Sequence, residues 1–335
     1  RIDWSSALAW TETKSVAYPS VGLSAILTDL LPIRSDVLTF LKLRGSYSEV
    51  GNAPTRYIAY QTHPYQSGTP STTSTYPNSD IKPERTKAWE VGLQSRFWGD
   101  KLALNVSLYK TSTFNQLFNP SLPSSSGYSS IYINGGQVDN KGIEASLSLS
   151  QALGPVEWNS TLTYTINRNK IKKLLKPTTL KDGLLVEQDM LDLDGVGNVK
   201  TRLFEGGSVG DLYVTALRTD EHGYIDVDYV NNTVSVDGNA GERGDGWIYA
   251  GNSQAKYTMG WRNSFSWKGL TFGFLINARV GGVCVSMTQA LMDSYGTSKA
   301  TADARDAGGV MINGYLVPAA QKYYQTVGTG AGSID

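Results

Sequence analysis

The sequence predicts an all-β fold: an antiparallel transmembrane β-barrel with short turns at one end and long loops at the other. Three observations carry this. Several segments alternate apolar and polar residues with a period of two, as strands with one apolar face do. These segments come in pairs, three of the four joined by tight turns, while much longer connections join one pair to the next. The polar faces are uniformly Ser, Thr, Asn, Gln and Arg, which suits a wet lumen, and the opposite faces are apolar, which suits lipid.

The first pair is Val21–Leu27 with Leu41–Tyr47, where Lys42, Arg44 and Ser46 alternate with Leu41, Leu43, Gly45 and Tyr47. The second pairs Ala88–Phe97 with Lys101–Tyr109 across the glycine turn Trp98-Gly99-Asp100. The third sets Ile143–Leu149 against Trp158, Leu162, Tyr164 and Ile166, turning near Gly154-Pro155. The fourth carries Met259, Trp261, Phe265 and Trp267, turns at Lys268-Gly269, and returns through Leu270, Phe272, Phe274 and Ile276. Short turns with glycine at the bend are the usual hairpin connection.

Between the pairs lie Glu49–Arg85, Gln116–Tyr128, Asn169–Ala255 and the stretch from Val280 onward, where Met287–Asp306 has room for a short helix. Loops beyond about 12–15 residues are uncommon in compact soluble domains. Alternation of short turns with long loops is the rule in outer-membrane barrels, with turns on the periplasmic side and loops outside. Phe97, Trp98, Trp158 and Trp267 sit at the short turns, where an aromatic girdle would lie. All 335 residues are read as part of one barrel domain.

Composition agrees. Lys plus Arg and Asp plus Glu are each 30, so formal net charge is zero, and nucleic acid is excluded as the main partner because phosphate binding needs a basic face. Charged residues are 18 %, below the usual quarter, and Tyr 19, Trp 8 and Gly 35 are numerous, as in a turn-rich β protein with an interface-seeking surface. The lone Cys284 forbids an internal disulfide. No segment reaches the about 18 apolar residues of a membrane helix, a test that barrel strands escape because they alternate. The chain starts Arg1-Ile2-Asp3-Trp4, without Met or signal peptide, and ends without a closing strand. A piece of a longer polypeptide is expected, stable only with the rest of its barrel, since an open barrel leaves strand edges unpaired.

Four stretches carry a resemblance: FLKLRGSYSEVGN from Phe40, IKPERTKAWEVGL from Ile81, GYSSIYINGGQVDNKGIE from Gly127 and MGWRNSFSWKGLTFGFLINARVGG from Met259. Together, in this order, they resemble the SusC/RagA family of TonB-linked outer-membrane transporters. The resemblance implies a barrel of roughly 22 strands with an internal plug, of which this chain would be a middle-to-late part. It further implies the outer membrane of a Gram-negative bacterium and active import of an oligosaccharide or peptide. The partners implied are a SusD-like surface lipoprotein as lid and inner-membrane TonB, acting through a segment outside this chain. The long loops match the family least, so the resemblance does not extend to the cargo. The alternatives are a passive porin-like or structural barrel, and a soluble all-β sandwich.

Candidate residues follow. Arg44, Arg96, Arg262 and Arg279 fall on polar faces; facing lipid at mid-depth each would cost about 2–4 kcal/mol, so all four are expected to point into the lumen. Tyr128, Tyr132, Trp247 and Tyr249 stand at loop bases, where rings could stack on sugars, pack on a lid protein or form the outer girdle. In the family motif, Asp139, Asn140, Lys141, Gly142 and Glu144 read as a strand start in preference to a lumen or plug contact, with Gly142 supplying unusual backbone geometry. Asp189, Asp192 and Asp194, and Asp220, Asp226 and Asp228, form acidic loops without the spacing of a calcium loop, so no metal is expected. His63 and His222 lie far apart, and no hydrolase or phosphate-loop motif occurs, so neither an enzyme nor a cofactor is expected.

Overall fold

The computed structural model describes residues 2–9, 11, 15–31, 35–60, 63, 65–71, 74–122, 126–174, 178–179, 183, 185–186, 189–193, 195, 197–318 and 323–324. It contains two compact units: Arg1–Met190 with Phe204–Gly207 and Lys256–Val280, and Leu191–Leu203 with Ser208–Ala255 and Gly281–Asp335.

Twelve strands organise the chain: β1 Ser20–Ile26, β2 Leu38–Asn52, β3 Glu84–Phe97, β4 Leu102–Phe118, β5 Ile133–Leu153, β6 Val156–Lys173, β7 Met190–Asp192, β8 Val199–Phe204, β9 Asp211–Thr215, β10 Trp247–Asn252, β11 Tyr257–Trp267 and β12 Leu270–Val280. The first unit is built on an eight-stranded sheet in the order β12-β11-β6-β5-β4-β3-β2-β1. Every neighbouring pair is antiparallel. The sheet is open, with β1 and β12 as its edges.

The four predicted hairpins are present in the predicted order. Gly154 (φ +61°) and Pro155 connect Leu153 to its partner Val156, and Lys268 (φ +44°) with Gly269 (φ +86°) connects Trp267 to Leu270. Left-handed φ at the first or at both central residues twists the turn to match its strands. In an up-and-down meander these short connections share one end of the sheet, and the long ones share the other.

The strands run further toward the loop end than the alternation predicts. β5 begins at Ile133 rather than Ile143, and β6 continues to Lys173. The 21 residues of β5 reach about 70 Å at about 3.4 Å each, whereas about 9–11 residues cross a membrane. Beyond the apolar band polar residues stand on both faces, interrupted by the buried Ile133, Val138 and Ile171. The period-2 signal then disappears, although backbone pairing continues.

The family motif is therefore not a strand start. Asp139 to Glu144 lie inside β5, paired with β4 on one side and β6 on the other. The Gly135-Gly136 pair that reads as a loop is part of the strand, with Gly136 at φ +76° and a register irregularity on the β6 side between Gln137 and Val138. A single left-handed glycine beside such a shift makes a bulge, not a break.

The large sheet carries no packed core over its middle. Leu23 is 79 % exposed, Trp89 61 % and Leu108 51 %. Among the described residues, one small buried cluster lies in the connections, where Leu122 and Ile131 pack with Tyr76 and Tyr128. The stretch after β6 adds a four-stranded sheet, β7-β8-β9-β10, where the sequence suggests only a long connection. The second unit has its own cluster of Val227, Val234, Ile312 and Val317. It also holds two helices, α1 Met287–Ser294 and α2 Lys299–Asp306, N-capped by Ser286 and Ser298. Gly296 at φ +72° separates them, so the expected helix is two.

Candidate functional site

Strand register sorts the side chains of the large sheet into two faces. One face holds, in lateral order, Leu23, Gly45, Val91, Leu108, Ile143, Ile166, Tyr257 and Val280. Two rows nearer the turns it holds Leu41, Ser95, Leu104, Leu147, Leu162, Trp261 and Ile276. Phe97, Trp158, Phe265, Trp267 and Phe272 continue this face at the turn end, with the Trp158 and Phe265 rings stacked 6.2 Å apart. The apolar band on β5 is bounded by Lys141 and Gln151, ten residue steps apart. That is about 33–34 Å along the strand, or about 25 Å along the membrane normal at a tilt of about 40°. This matches the height of an outer-membrane hydrophobic belt.

The other face is polar, and it brings the four arginines together in two rows. In one, Ser24, Arg44, Gly92, Ser107, Glu144, Thr165, Thr258 and Arg279 stand in direct register across all eight strands. In the second, nearer the turns, Phe40, Arg96, Ala103, Ser148, Thr161 and Arg262 align. Arg44 owes its pose to Gly92. With no side chain there, the guanidinium lies across β3 and donates to Ser107 on β4, with Glu90 at 3.4 Å. A Cβ on Gly92 would lie 2.4 Å from Arg44 Nε. Arg96 sits 5.0 Å over the Phe40 ring and pairs with Asp100 at 3.3 Å.

The motif splits between the faces. Asn140, Gly142 and Glu144 join the polar face, and Asp139 and Lys141 the other. Gly142 is there for contact rather than for a turn. The Tyr109 ring lies over it, and a Cβ would meet that ring and the Ile166 carbonyl at 2.4 Å. Covering a strand glycine with a cross-strand aromatic is a known device of β-sheets.

The four loop-base aromatics fall into two separate groups. Tyr128 packs edge-on to Tyr76 at 5.2 Å, and the Tyr132 carbonyl accepts from Asn78 Nδ2 at 2.9 Å. Trp247 and Tyr249 belong to β10 in the second unit. There Arg202, 3 % exposed, is held by Asp192 at 2.8 Å and Asp245 at 2.7 Å and faces the Tyr213 and Trp247 rings. Lys200 Nζ sits 3.7 Å from the Trp247 ring centroid. Burial alone would raise the Asp192 carboxyl, but the hydrogen bonds and charges of Arg202 and Lys200 outweigh it and hold it below the ordinary value. Tyr249 is 57 % exposed, with its hydroxyl pushed up by partial burial and by Asp211. The sequence signal for this cluster was the pair Trp247 and Tyr249; the Lys200–Arg202 side of it carried none.

The acidic loops are occupied by their own contacts. Asp220 accepts from the His222 and Tyr224 amides, Asp228 from those of Val230 and Asn231, and Asp226 pairs with Arg218 at 3.6 Å. Asp194 lies outside the described residues.

A two-faced antiparallel meander with an exposed apolar belt and a polar, arginine-bearing reverse is the wall of a membrane barrel. The comparisons agree. The family model described as TonB dependent receptor-like, beta-barrel, matches residues 1–188. TonB-dependent receptor P3 of Formosa agariphila is 27 % identical over 301 residues, covering 82 % of this chain and 29 % of that protein. TonB-dependent receptor P26 of the same organism is 26 % identical over 306 residues, covering 84 % and 30 %. The chain thus spans under a third of the length of these curated relatives. Among solved structures, the RagAB peptide transporter superposes with a TM-score of 0.67 at 21 % identity, over 90 % of this chain and 33 % of that one. The sequence and the sheet together therefore place the chain in the TonB-dependent receptor-like β-barrel family.

Proposed function

We propose that these residues form part of a single barrel domain in a TonB-dependent importer of the outer membrane, which takes up an oligosaccharide or peptide together with a SusD-like surface lipoprotein. The observation that carries this reading is the sorting of eight strands into an apolar and a polar face over a belt of membrane height. The apolar face meets lipid and the polar face lines the lumen. Arg44, Arg96, Arg262 and Arg279 then point inward, where they are available to carboxylates of the plug or cargo and avoid the about 2–4 kcal/mol cost of lipid. The likeness in fold to the RagAB peptide transporter keeps a peptide among the candidate cargoes. Tyr128, Tyr132, Trp247 and Tyr249 are the candidates for contact with cargo or lid. Transport proceeds by binding and release, with no covalent step.

The test is uptake of labelled oligosaccharides and peptides by cells carrying the full-length protein, with and without TonB, with pull-down of a co-encoded lipoprotein. Saturable uptake that stops without TonB is the expected result. Uptake that persists without TonB, linear in concentration, would establish the passive porin-like alternative instead.

A further inference from the structure

The apolar face ends differently at its two edges. At the turn end it closes with aromatic rings. At the loop end the first row beyond Ile143 holds Tyr47, Trp89, Lys110, Lys141 and Arg168, side by side on β2 to β6. Lys110 is the direct cross-strand partner of Lys141, and Lys141 of Arg168. Lys170 follows on the same face one row out, opposite Asp139. All four cations are exposed. Among the described residues none of them makes an ion pair. Of the nearby carboxylates, Glu49 pairs with Arg85 and Lys87, and Asp139, which accepts from Gln137 Nε2 at 2.8 Å, stands one row out from Lys141, opposite Lys170.

Like charges directly opposite on neighbouring strands have Cβ atoms about 4.5–5.5 Å apart and repel. Three in one row, with no ion-pair partner among the described residues, favour an anion from outside. Their height identifies it. They stand level with Trp89, 61 % exposed, and Tyr47, whose rings are 4.5 Å apart, where amphipathic rings meet headgroups.

We propose that Lys110, Lys141 and Arg168, with Lys170 above them, dock the phosphates of an anionic glycolipid in the outer leaflet. The inference rests on the barrel reading above, which sets the apolar face against lipid and the long connections outside. Each cation contributes a charge contact to the headgroup, and Trp89 and Tyr47 flank it as interfacial anchors. The site is on the outer wall, so it concerns how the barrel is seated and not what it carries.

The test uses the full-length protein, delipidated in mild detergent, with three probes: lipid A bearing both phosphates, the same lipid with the phosphates removed, and inorganic phosphate. Native mass spectrometry reads retention. The wild type should hold phosphorylated lipid A and not the other two. At about fivefold per cation near an anionic surface, the triple variant K110Q/K141Q/R168Q should bind about a hundredfold more weakly. Lys42→Gln, on the opposite face, should change nothing. Heat-modifiable gel mobility checks that the variants fold, and Lys141→Gln alone, expected at about fivefold, serves if the triple variant does not. Equal binding of the dephosphorylated lipid, tight binding of free phosphate, or an unchanged triple variant would each overturn the proposal. A protein that fractionates away from the outer membrane would sink the barrel reading itself, a separate failure.

Discussion

Placing one arginine on each face of the same strand tests the two-face reading directly. Leu147 lies six residues from Lys141 and four from Gln151 on β5, close to the middle of the belt, and Ser146 is its neighbour at the same depth. Leu147 points to the apolar face, between Leu104 and Leu162, and is 40 % exposed. Ser146 points to the polar face between Asn105 and Thr163. An arginine in hydrocarbon at mid-depth costs about 2–4 kcal/mol, a factor of about 30 to 700 in the folding equilibrium at 1.4 kcal/mol per decade. Leu147→Arg should lose that much in denaturant unfolding of the full-length protein in lipid vesicles. Ser146→Arg, on the wet side, should stay within about 0.5 kcal/mol of wild type. The introduced side chain, its charge and its depth are common to both variants, so the difference reports chiefly the environment of the face. Equal penalties would refute the assignment, and reversed penalties would put the lumen on the other side.

Three further outcomes follow from particular contacts. Gly142→Val should destabilise the barrel by about 1–3 kcal/mol by overpacking, and Tyr109→Ala should restore only part of this in thermal melts, because the Ile166 carbonyl also stands 2.4 Å from the new Cβ; a neutral substitution would show that the ring does not lie there. Arg202→Met should loosen the β7-β8-β9-β10 sheet, read as faster amide exchange over Val199–Phe204, by less than the about 3–5 kcal/mol of a fully buried pair, because Asp192 and Asp245 are about one-third exposed and can hydrate; unchanged exchange would refute the central role of that guanidinium. The same sheet should lose stability in acid: the folded Asp192 carboxyl lies below its unfolded value of about 4, so its contribution is complete above that pH and drains as pH falls through the folded value, and Asp192→Asn should flatten that part of the exchange-versus-pH profile.

The large sheet was legible because two requirements coincide in it. A strand between lipid and water must alternate, and alternation is the one pattern a single sequence displays openly. Hairpins such as Trp267–Lys268–Gly269–Leu270 add turn chemistry to the same signal. Where only one requirement acts, the sequence falls silent. The outer ends of β5 and β6 pair their backbones with no lipid face to maintain; their few apolar residues, Ile133, Val138 and Ile171, are buried locally without a regular period, and the stretch reads as loop. The small sheet of β7 to β10 is short-stranded and held by Arg202 and its partners, contacts between residues far apart in sequence that leave no period. Arg44 was legible as a polar-face residue, but its reach to Ser107 depends on Gly92, a position that alone looks like a weakness in a strand.

Two interruptions in the alternation show how far the pattern can bend without failing. Ser160 and Asn263 stand on the apolar face, where each breaks an otherwise apolar series, and Asn263 is 1 % exposed. A register slip would explain such residues, but the pairing of β6 with β11 runs unbroken from Glu157↔Ser266 to Thr165↔Thr258. The two are direct cross-strand partners, and each takes an indole proton: Trp158 Nε1 donates to Asn263 Oδ1 at 3.0 Å, and Trp261 Nε1 donates to Ser160 Oγ at 3.0 Å. An indole N–H on a lipid-facing surface needs an acceptor, and hydrocarbon offers none, so the polar pair is the counterpart of the two tryptophans. A double-mutant cycle separates this from coincidence. Asn263→Leu strands the Trp158 N–H, Trp158→Phe strands the asparagine oxygen, and together they remove both needs. The coupling expected from interhelical hydrogen bonds in membranes, about 0.6–2 kcal/mol, should appear as a double variant less destabilised than the sum of the singles in vesicle unfolding. Strict additivity would mean that the indole and the amide do not depend on one another, and the polar pair would then need a different cause.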